Sequence, residues 1–590
     1  MLECRALVNH DLAALFFLFV TVKVVIYYNR KLHTTATERF NRQGCFMIRL
    51  KIKHCSLMAA ISFVMFGNAA ESRKNILFVF ADDWGRYAGI YREVDGAGSP
   101  NDIINTPNVD RMAREGVLFR NAFVNAPSCT PCRSSLFSGR YFFNTGLGAI
   151  LLGAQWDPSI PVFPLLLRDA GYHIGKSHKV WAPGIPQDAP FGEQKYAYEK
   201  AGRACNNFSA QTELRINKRG MTVREAHHDI LTQVQQNFNA FIADRKEGQP
   251  WLYYFGTTTT HRKWIKGSGK KHWGINPDKL KGKMPKFFPD VHAVREDFAD
   301  YLGECQAVDA CIGELIARVE EMGELENTVI VISGDHGFPG APRGKCNLYN
   351  CGTSVPLIIR WPSGKAGRVI DDFVMIPDLM PTFLEIGGVP LPEKIDARSL
   401  MPQITSDREG QIDPKRTWAI SGRERHVSSA RPEGLPYPMR ALHTKDFLYI
   451  RNYEPQRWPM GAPFAAGRAT KDIDADAVEN QTMYCYGDFD ASPTKAWLIL
   501  NRDNPEYRRH HDWAFGKRPA EELYDMRNDP DQINNLASHP EYSVTRQKLA
   551  DQLAQILKDS GDPRVTADPI PYEHPPYTEI GEKLKKFMNP

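Results

Sequence analysis

The sequence predicts an α/β fold with a large, mostly parallel central sheet, followed by a smaller C-terminal α+β domain that carries an antiparallel sheet. Three observations lead there. Two continuous apolar runs, Asn75-Ile-Leu-Phe-Val-Phe-Ala81 and Thr328-Val-Ile-Val-Ile-Ser333, have the composition of strands buried on both faces. Between them, Phe298 to Met322 places Val308, Ile312, Ile316 and Val319 at helical spacing, so strands alternate with helices. After about Trp418 the pattern shortens to strands broken by Pro and Gly, among them Met439 to Leu442 and Phe447 to Tyr453. The expected division is 71–419 for the first domain and 420–590 for the second.

Taken in order, the first seventy residues stand apart. Leu12 to Tyr28 is apolar but is preceded by His10 and Asp11 and broken by Lys23, which makes a poor membrane span. A second start at Met47 has Arg49, Lys51 and Lys53, then the apolar run Leu57 to Phe66, then Gly67-Asn68-Ala69. That order matches a secretion signal over 47–69, with 1–46 an over-extended start. The mature chain then begins near Ala70 and works outside the cytoplasm, periplasmic or secreted; a hydrophobic anchor is the alternative. Trp251-Leu-Tyr-Tyr-Phe255 is a third strand, and Gln547 to Leu557 a closing helix.

Composition limits the function classes. At 590 residues and 42% hydrophobic the chain is neither disordered nor fibrous. Its 74 basic and 69 acidic residues leave a net charge of +5, which gives no reason to expect a nucleic-acid partner. Setting aside Cys4, Cys45 and Cys55 leaves eight cysteines, too few for a disulfide scaffold. Cys305 and Cys311 share a helix at a spacing that bridges poorly, whereas Cys346 and Cys351 are close enough in sequence to pair. Nothing in the sequence speaks to oligomeric state.

Both central strands run into carboxylates: Asp82-Asp83 after the first, Gly334-Asp335-His336-Gly337 after the second. Ligands of open α/β sheets bind beyond the carboxyl ends of the strands, so these acids can converge. Three carboxylates suit a hard divalent cation, Ca²⁺ or Mg²⁺; His336 would suit zinc better, or sits beside the ion. In Ser128-Cys-Thr-Pro-Cys-Arg-Ser-Ser-Leu-Phe-Ser-Gly-Arg140, Thr130 is expected as N-cap, Pro131 in the first turn and Gly139 at C′. Cys129 then lies just ahead of a helix N-terminus, where an anion is favoured, and Arg133 can reach the same anion. Cys129-x-x-Cys132 also fits a redox pair at a helix start.

Cys129-x-Pro131-x-Arg133 with Leu136 and Gly139-Arg140 resembles the signature of the type I sulfatases. The likeness continues in order through Asn75–Gly85, Thr106–Ala113, Gly175-Lys-Ser-His178, Gly334-Asp-His-Gly337 and Lys345 followed by Leu348-Tyr349. Within the family the chain resembles most the sulfamidases, or N-sulfoglucosamine sulfohydrolases, through Asn347–Leu357, Tyr437–Arg440 and Glu522-Leu-Tyr-Asp with Asp529-Pro and Asn534–Ala537. Two departures are His336, where sulfamidases usually carry Asn, and Cys132, where Ser is commoner.

The resemblance implies an alkaline-phosphatase-like sandwich and a hydrolase of sulfated sugars. It implies that a maturation enzyme converts Cys129 to formylglycine, and that Asp82, Asp83, Cys129, Asp335 and His336 hold the cation. It also implies that the hydrated formylglycine attacks sulfur and is regenerated as sulfate leaves. Arg133 and Lys176 are expected to hold the diol and sulfate oxygens, and His178 to act as the base. His261 and Lys345 are expected at the leaving group; His426 lines the pocket or lies on a surface loop. The implied substrate is a sulfated carbohydrate, N-sulfoglucosamine of heparan type by preference, with glycosaminoglycan breakdown as the setting. A phosphonate or phosphodiester hydrolase of the same superfamily, an O-sulfatase on another glycan and an inactive glycan binder are the competing readings.

Overall fold

The computed structural model describes residues 73–184, 190–192 and 194–579. The expected signal at 47–69 and the over-extended start lie outside them.

The central sheet has seven strands: β1 (Asn75–Ala81), β2 (Val117–Phe123), β3 (His173–His178), β4 (Trp251–Gly256), β5 (Thr328–Gly334), β6 (Leu357–Arg360) and β7 (Arg368–Met375). Their order is β3-β4-β1-β5-β6-β2-β7, and only β6 runs antiparallel, to both β5 and β2. Every residue of β1, β4 and β5 is buried, which is why their sequences are continuously apolar rather than alternating. β1 pairs β5 from Asn75–Thr328 to Ala81–Gly334, so Asp82 and Asp335 leave neighbouring strand ends side by side. Gly334 is required there: a Cβ at this position would collide with the Trp84 carbonyl.

Helices cover both faces. His292–Glu321 begins six residues before the predicted Phe298 and buries Val308, Ile312, Ile316 and Val319 against one face, along with Cys305 and Cys311. The opposite face packs on Leu136 and Phe137 of the Cys129–Ser138 helix and on Phe163, Leu379 and Phe383.

A second sheet, wholly antiparallel, has the order β11-β10-β9-β8, with β8 (Trp418–Arg423), β9 (Met439–Thr444), β10 (Phe447–Asn452) and β11 (Glu521–Asp525). The Ser543–Asp559 helix buries Leu549, Leu553 and Leu557 against it; both this helix and β9 outrun their sequence-predicted limits. All eight cysteines among the described residues are free thiols, so Cys346 and Cys351 are not paired. No helix among the described residues is long and apolar enough to cross a membrane.

Candidate active site

The Cys129–Ser138 helix is buried along its entire length, and two of its serines bond back within it: Ser134 Oγ donates to the Thr130 carbonyl at 2.8 Å and Ser138 Oγ to that of Ser134 at 2.6 Å. Gly139 ends it in the left-handed conformation at φ 67°, as expected of C′. The start differs from expectation. Ser128, extended at φ −156° and ψ 131°, is the N-cap position, and Thr130 lies inside the first turn. The Ser128 side chain does not cap the helix; its Oγ lies 2.8 Å from His426 Nδ1 instead. Cys129 is therefore the first helical residue, with its neighbour fixed by the second sheet's side of the molecule.

Around Cys129 the strand ends converge. Its Sγ is 3.3 Å from His336 Nε2 and 4.0 Å from Asp83 Oδ1. His336 Nε2 lies 3.2 Å from the same Asp83 oxygen, and the Asp83 amide donates to Asp335 Oδ1 at 2.8 Å. Asp83 occupies the left-handed region at φ 57°, a conformation that a non-glycine residue holds only where its surroundings impose it.

Three cations meet the acids. Arg133, fully buried, donates Nε to Asp335 at 2.9 Å and a terminal nitrogen to Asp82 at 3.2 Å. Its remaining nitrogen reaches the Tyr254 hydroxyl at 2.7 Å and the carbonyls of Lys179 and Val180 at 3.2 Å. Lys179 Nζ contacts both Asp82 oxygens at 2.6 and 2.7 Å. Lys345 Nζ bridges Asp83 at 3.0 Å and Asp490 at 3.4 Å.

These partners split the two aspartates electrostatically. Burial pushes Asp82 up, but Lys179 and Arg133 together overcome it and hold the carboxyl well below the usual range. Burial wins at Asp83, lifting its carboxyl to about 7 against Lys345 and His336. Burial and the charge of Asp82 push the Cys129 thiol up, so as encoded it is a neutral thiol and not a ready nucleophile.

Ligand atoms of Asp83, Cys129 and His336 lie within 4.8 Å of one another, as do those of Asp82, Cys129 and Asp335, and those of Asp82, Asp83 and His261. Three carboxylates serve these overlapping sets, beside one thiol and two imidazoles. The raised Asp83 carboxyl marks a place where more positive charge would favour ionisation. The donors therefore fit a hard divalent cation. Asp82→Asn, Asp83→Asn and Asp335→Asn are each expected to weaken Ca²⁺ binding at least about tenfold, the scale that even outer partners of metal ligands carry. His336→Asn should retain binding, because Asn supplies an oxygen in place of Nε2. Calorimetric titration checks both; loss of the metal in His336→Asn alone would make zinc the better fit.

The other predicted residues divide. His261 follows β4 in a loop pinned by its threonines: Thr257 donates to the Cys205 carbonyl at 2.8 Å and Thr259 to Glu304 at 2.5 Å. His261 Nδ1–H donates to the Arg262 carbonyl at 2.7 Å, so its other nitrogen, Nε2, faces Asp83 Oδ2 at 3.9 Å. Burial and Lys345 lower its pKa, favouring neutral imidazole. His426 is buried, which removes the surface-loop reading, and burial holds it neutral at a pKa of about 3.

Lys176 and His178 do not join the cluster. Side chains two apart on β3 share one side, and there Lys176 Nζ meets Glu199 at 3.0 Å. The Asn206 amide donates to His178 Nδ1 at 3.2 Å, and Nε2 lies 3.1 Å from Cys205 Sγ. Both residues line a cavity of about 300 Å³ with Lys179, Trp181, Phe191 and Arg203. The lysine on Asp82 is Lys179, one residue past the strand, which the motif reading passed over. Asp490, on the far side of Lys345, was also missed.

A family profile described as Sulfatase matches residues 74–389, more than half of the chain. The chain is 26% identical over 545 residues to the N-sulphoglucosamine sulphohydrolase of Homo sapiens, covering 87% of this chain and 96% of that protein. A solved structure described as a complex with its substrate D-glucosamine-2-N,6-O-disulfate superimposes with a TM-score of 0.53 at 19% identity, over 83% of this chain and 98% of the other. The phosphonate monoester hydrolase of Agrobacterium radiobacter does so with a TM-score of 0.53 at 16% identity, over 83% and 96%.

Proposed function

The chain belongs to the sulfatase family and is a hydrolase of sulfate esters or sulfamates; from that premise we propose that it releases sulfate from N-sulfoglucosamine of the heparan type. The observation that carries the reading is the convergence of Cys129, three aspartates and three cations at the ends of β1 and β5. The likeness to N-sulphoglucosamine sulphohydrolase over most of both chains supports the sugar.

Formylglycine formed from Cys129 would supply a hydrated aldehyde as the attacking oxygen. A cation held by Asp82, Asp83, Asp335 and His336, Ca²⁺ or Mg²⁺, would offset the negative oxygens that shield sulfur. The chain's own groups do the rest. Arg133 spends its fork on Asp82 and Asp335, so its role is to hold the carboxylates and not the sulfate. Lys345 and Lys179 bring positive charge to the anion. A nitrogen leaves poorly unless protonated, and His261, whose Nε2 faces the cluster, or Lys345 would deliver that proton.

The sulfamidase-like segments act partly at a distance. Tyr349 donates to Glu522 at 2.6 Å, joining two of them, and Arg440 is paired to Glu424 and Asp562 in the interior. Through these buried pairs the segments are tied to β9 and β11 of the second sheet. Export through the 47–69 signal to a compartment that holds sulfated glycans belongs to the same proposal, as does a maturation enzyme for Cys129.

Two measurements test it. Peptide mass spectrometry over 121–133 should find formylglycine at 129 in protein made with a maturation enzyme. The matured enzyme should then release sulfate from N-sulfoglucosamine faster than from 6-O-sulfated N-acetylglucosamine. Release only from the second sugar overturns the N-sulfatase assignment and keeps the sulfatase chemistry; preference for a phosphonate monoester over a nitrophenyl sulfate would favour the hydrolase that shares the fold.

A further inference from the structure

We propose that Asp490 is the residue that recognises the leaving nitrogen and sets preference for N-linked over O-linked sulfate. The inference rests on the N-sulfoglucosamine reading. Asp490 lies in the segment after Asp488, near the start of the Pro493–Leu500 helix, and comes to the site only through the tertiary fold. Its Oδ2 is buried yet accepts no hydrogen bond; Lys345 Nζ, at 3.4 Å, is an ion contact only. A buried carboxylate oxygen without a donor is costly to keep unless something supplies one.

The carboxylate stays ionised there: burial raises its pKa, but Lys345, His261 and His426 pull it far below the ordinary range. It shares Lys345 with Asp83, whose Oδ2 also faces His261 Nε2 at 3.9 Å.

The chemistry separates the two substrate classes. In sulfamate hydrolysis the S–N bond breaks and its electron pair stays on nitrogen. Water supplies the fourth oxygen of sulfate and the two protons that turn R–NH– into R–NH₃⁺. The departing atom thus goes from neutral to cationic. In sulfate-ester hydrolysis the departing oxygen ends as a neutral hydroxyl. A fixed carboxylate stabilises the developing ammonium and gives the alcohol no such charge term. In this reading Asp490 is a second acceptor beside Lys345, distinct from the cation ligands, and its orphan oxygen takes the substrate N–H.

The test compares matured wild type with Asp490→Asn on N-sulfoglucosamine and on 4-nitrophenyl sulfate, whose leaving group needs no proton. Loss of a charge-assisted hydrogen bond should lower kcat/KM on N-sulfoglucosamine roughly ten- to a hundredfold and leave nitrophenyl sulfate turnover nearly unchanged. Calorimetry should show glucosamine binding wild type better than glucose, and that difference should vanish in the variant. Equal losses on both substrates, with glucosamine binding unaltered, would reduce Asp490 to a support for Lys345 and overturn the inference. A wild type inactive on N-sulfoglucosamine but active on nitrophenyl sulfate would instead overturn the N-sulfatase reading, and this inference with it.

Discussion

Cys129→Ala is expected to lower sulfate release by on the order of 10⁴-fold or more, the scale of deleting a covalent nucleophile, whereas Cys132→Ser keeps most of the activity. The two thiols are three residues apart on one helix but face different surroundings. Cys129 Sγ looks onto His336 and Asp83. Cys132 is wholly buried in the apolar layer formed with Leu136, Phe137 and Phe163. Both are free, and burial raises both thiols well above their ordinary range, the opposite of what a reactive redox pair needs. Serine at 132 exchanges one small buried side chain for another, and its hydroxyl can bond back to the Ser128 carbonyl as Ser134 and Ser138 do to theirs. Sulfate release by the two variants, with thermal unfolding as a control for folding, decides the matter. Equal losses would restore the redox-pair reading.

The same residues show where sequence was sufficient. β1 and β5 were legible because a strand buried on both faces must be continuously apolar, and the acids that follow such strands have one place to go. β2 was not: Arg120 and Asn121 interrupt Val-Leu-Phe and Ala-Phe, since part of that strand lies near the sheet margin, open to solvent. The Cys129 helix was legible in extent but not in phase. Thr130-Pro131 reads as a cap and first turn, but Ser128 Oγ is claimed by His426, nearly three hundred residues away, and no local rule reports that. Lys176 illustrates a related limit. A motif gives the order of residues, whereas the side of a strand on which each falls is set by where the strand ends. β3 ends at His178, and Lys179, the first residue beyond it, meets Asp82. Asp490 carries no motif at all; only the packing of its segment beside Lys345 makes it part of the site.

Arg133→Met should be the most damaging single change to stability in the catalytic half, about 3–5 kcal/mol, the usual cost of removing one partner of a buried ion pair. Methionine fills a comparable volume beside the Phe80 ring, whose centroid is 5.1 Å from the guanidinium carbon, so the loss is electrostatic and not a cavity. What remains is a buried Asp335 without its cation, and Asp82 with Lys179 alone. The Tyr254 hydroxyl loses its partner, and so do the carbonyls of Lys179 and Val180, each at the cost of an unsatisfied polar group. Arg133→Lys should recover only part of this. A single ammonium cannot place donors on two carboxylates, a hydroxyl and two carbonyls at once, which the planar guanidinium does. Because the lost contacts fix Asp82 and Asp335 in place, Ca²⁺ affinity should fall in the same order, wild type above lysine above methionine. Urea unfolding monitored through tryptophan emission, alongside calcium titration, measures both. A methionine variant that unfolds within about 1 kcal/mol of wild type, a loss ordinary for any point mutation, would mean that the carboxylates do not depend on Arg133, and the guanidinium would then have to be reassigned to the sulfate itself.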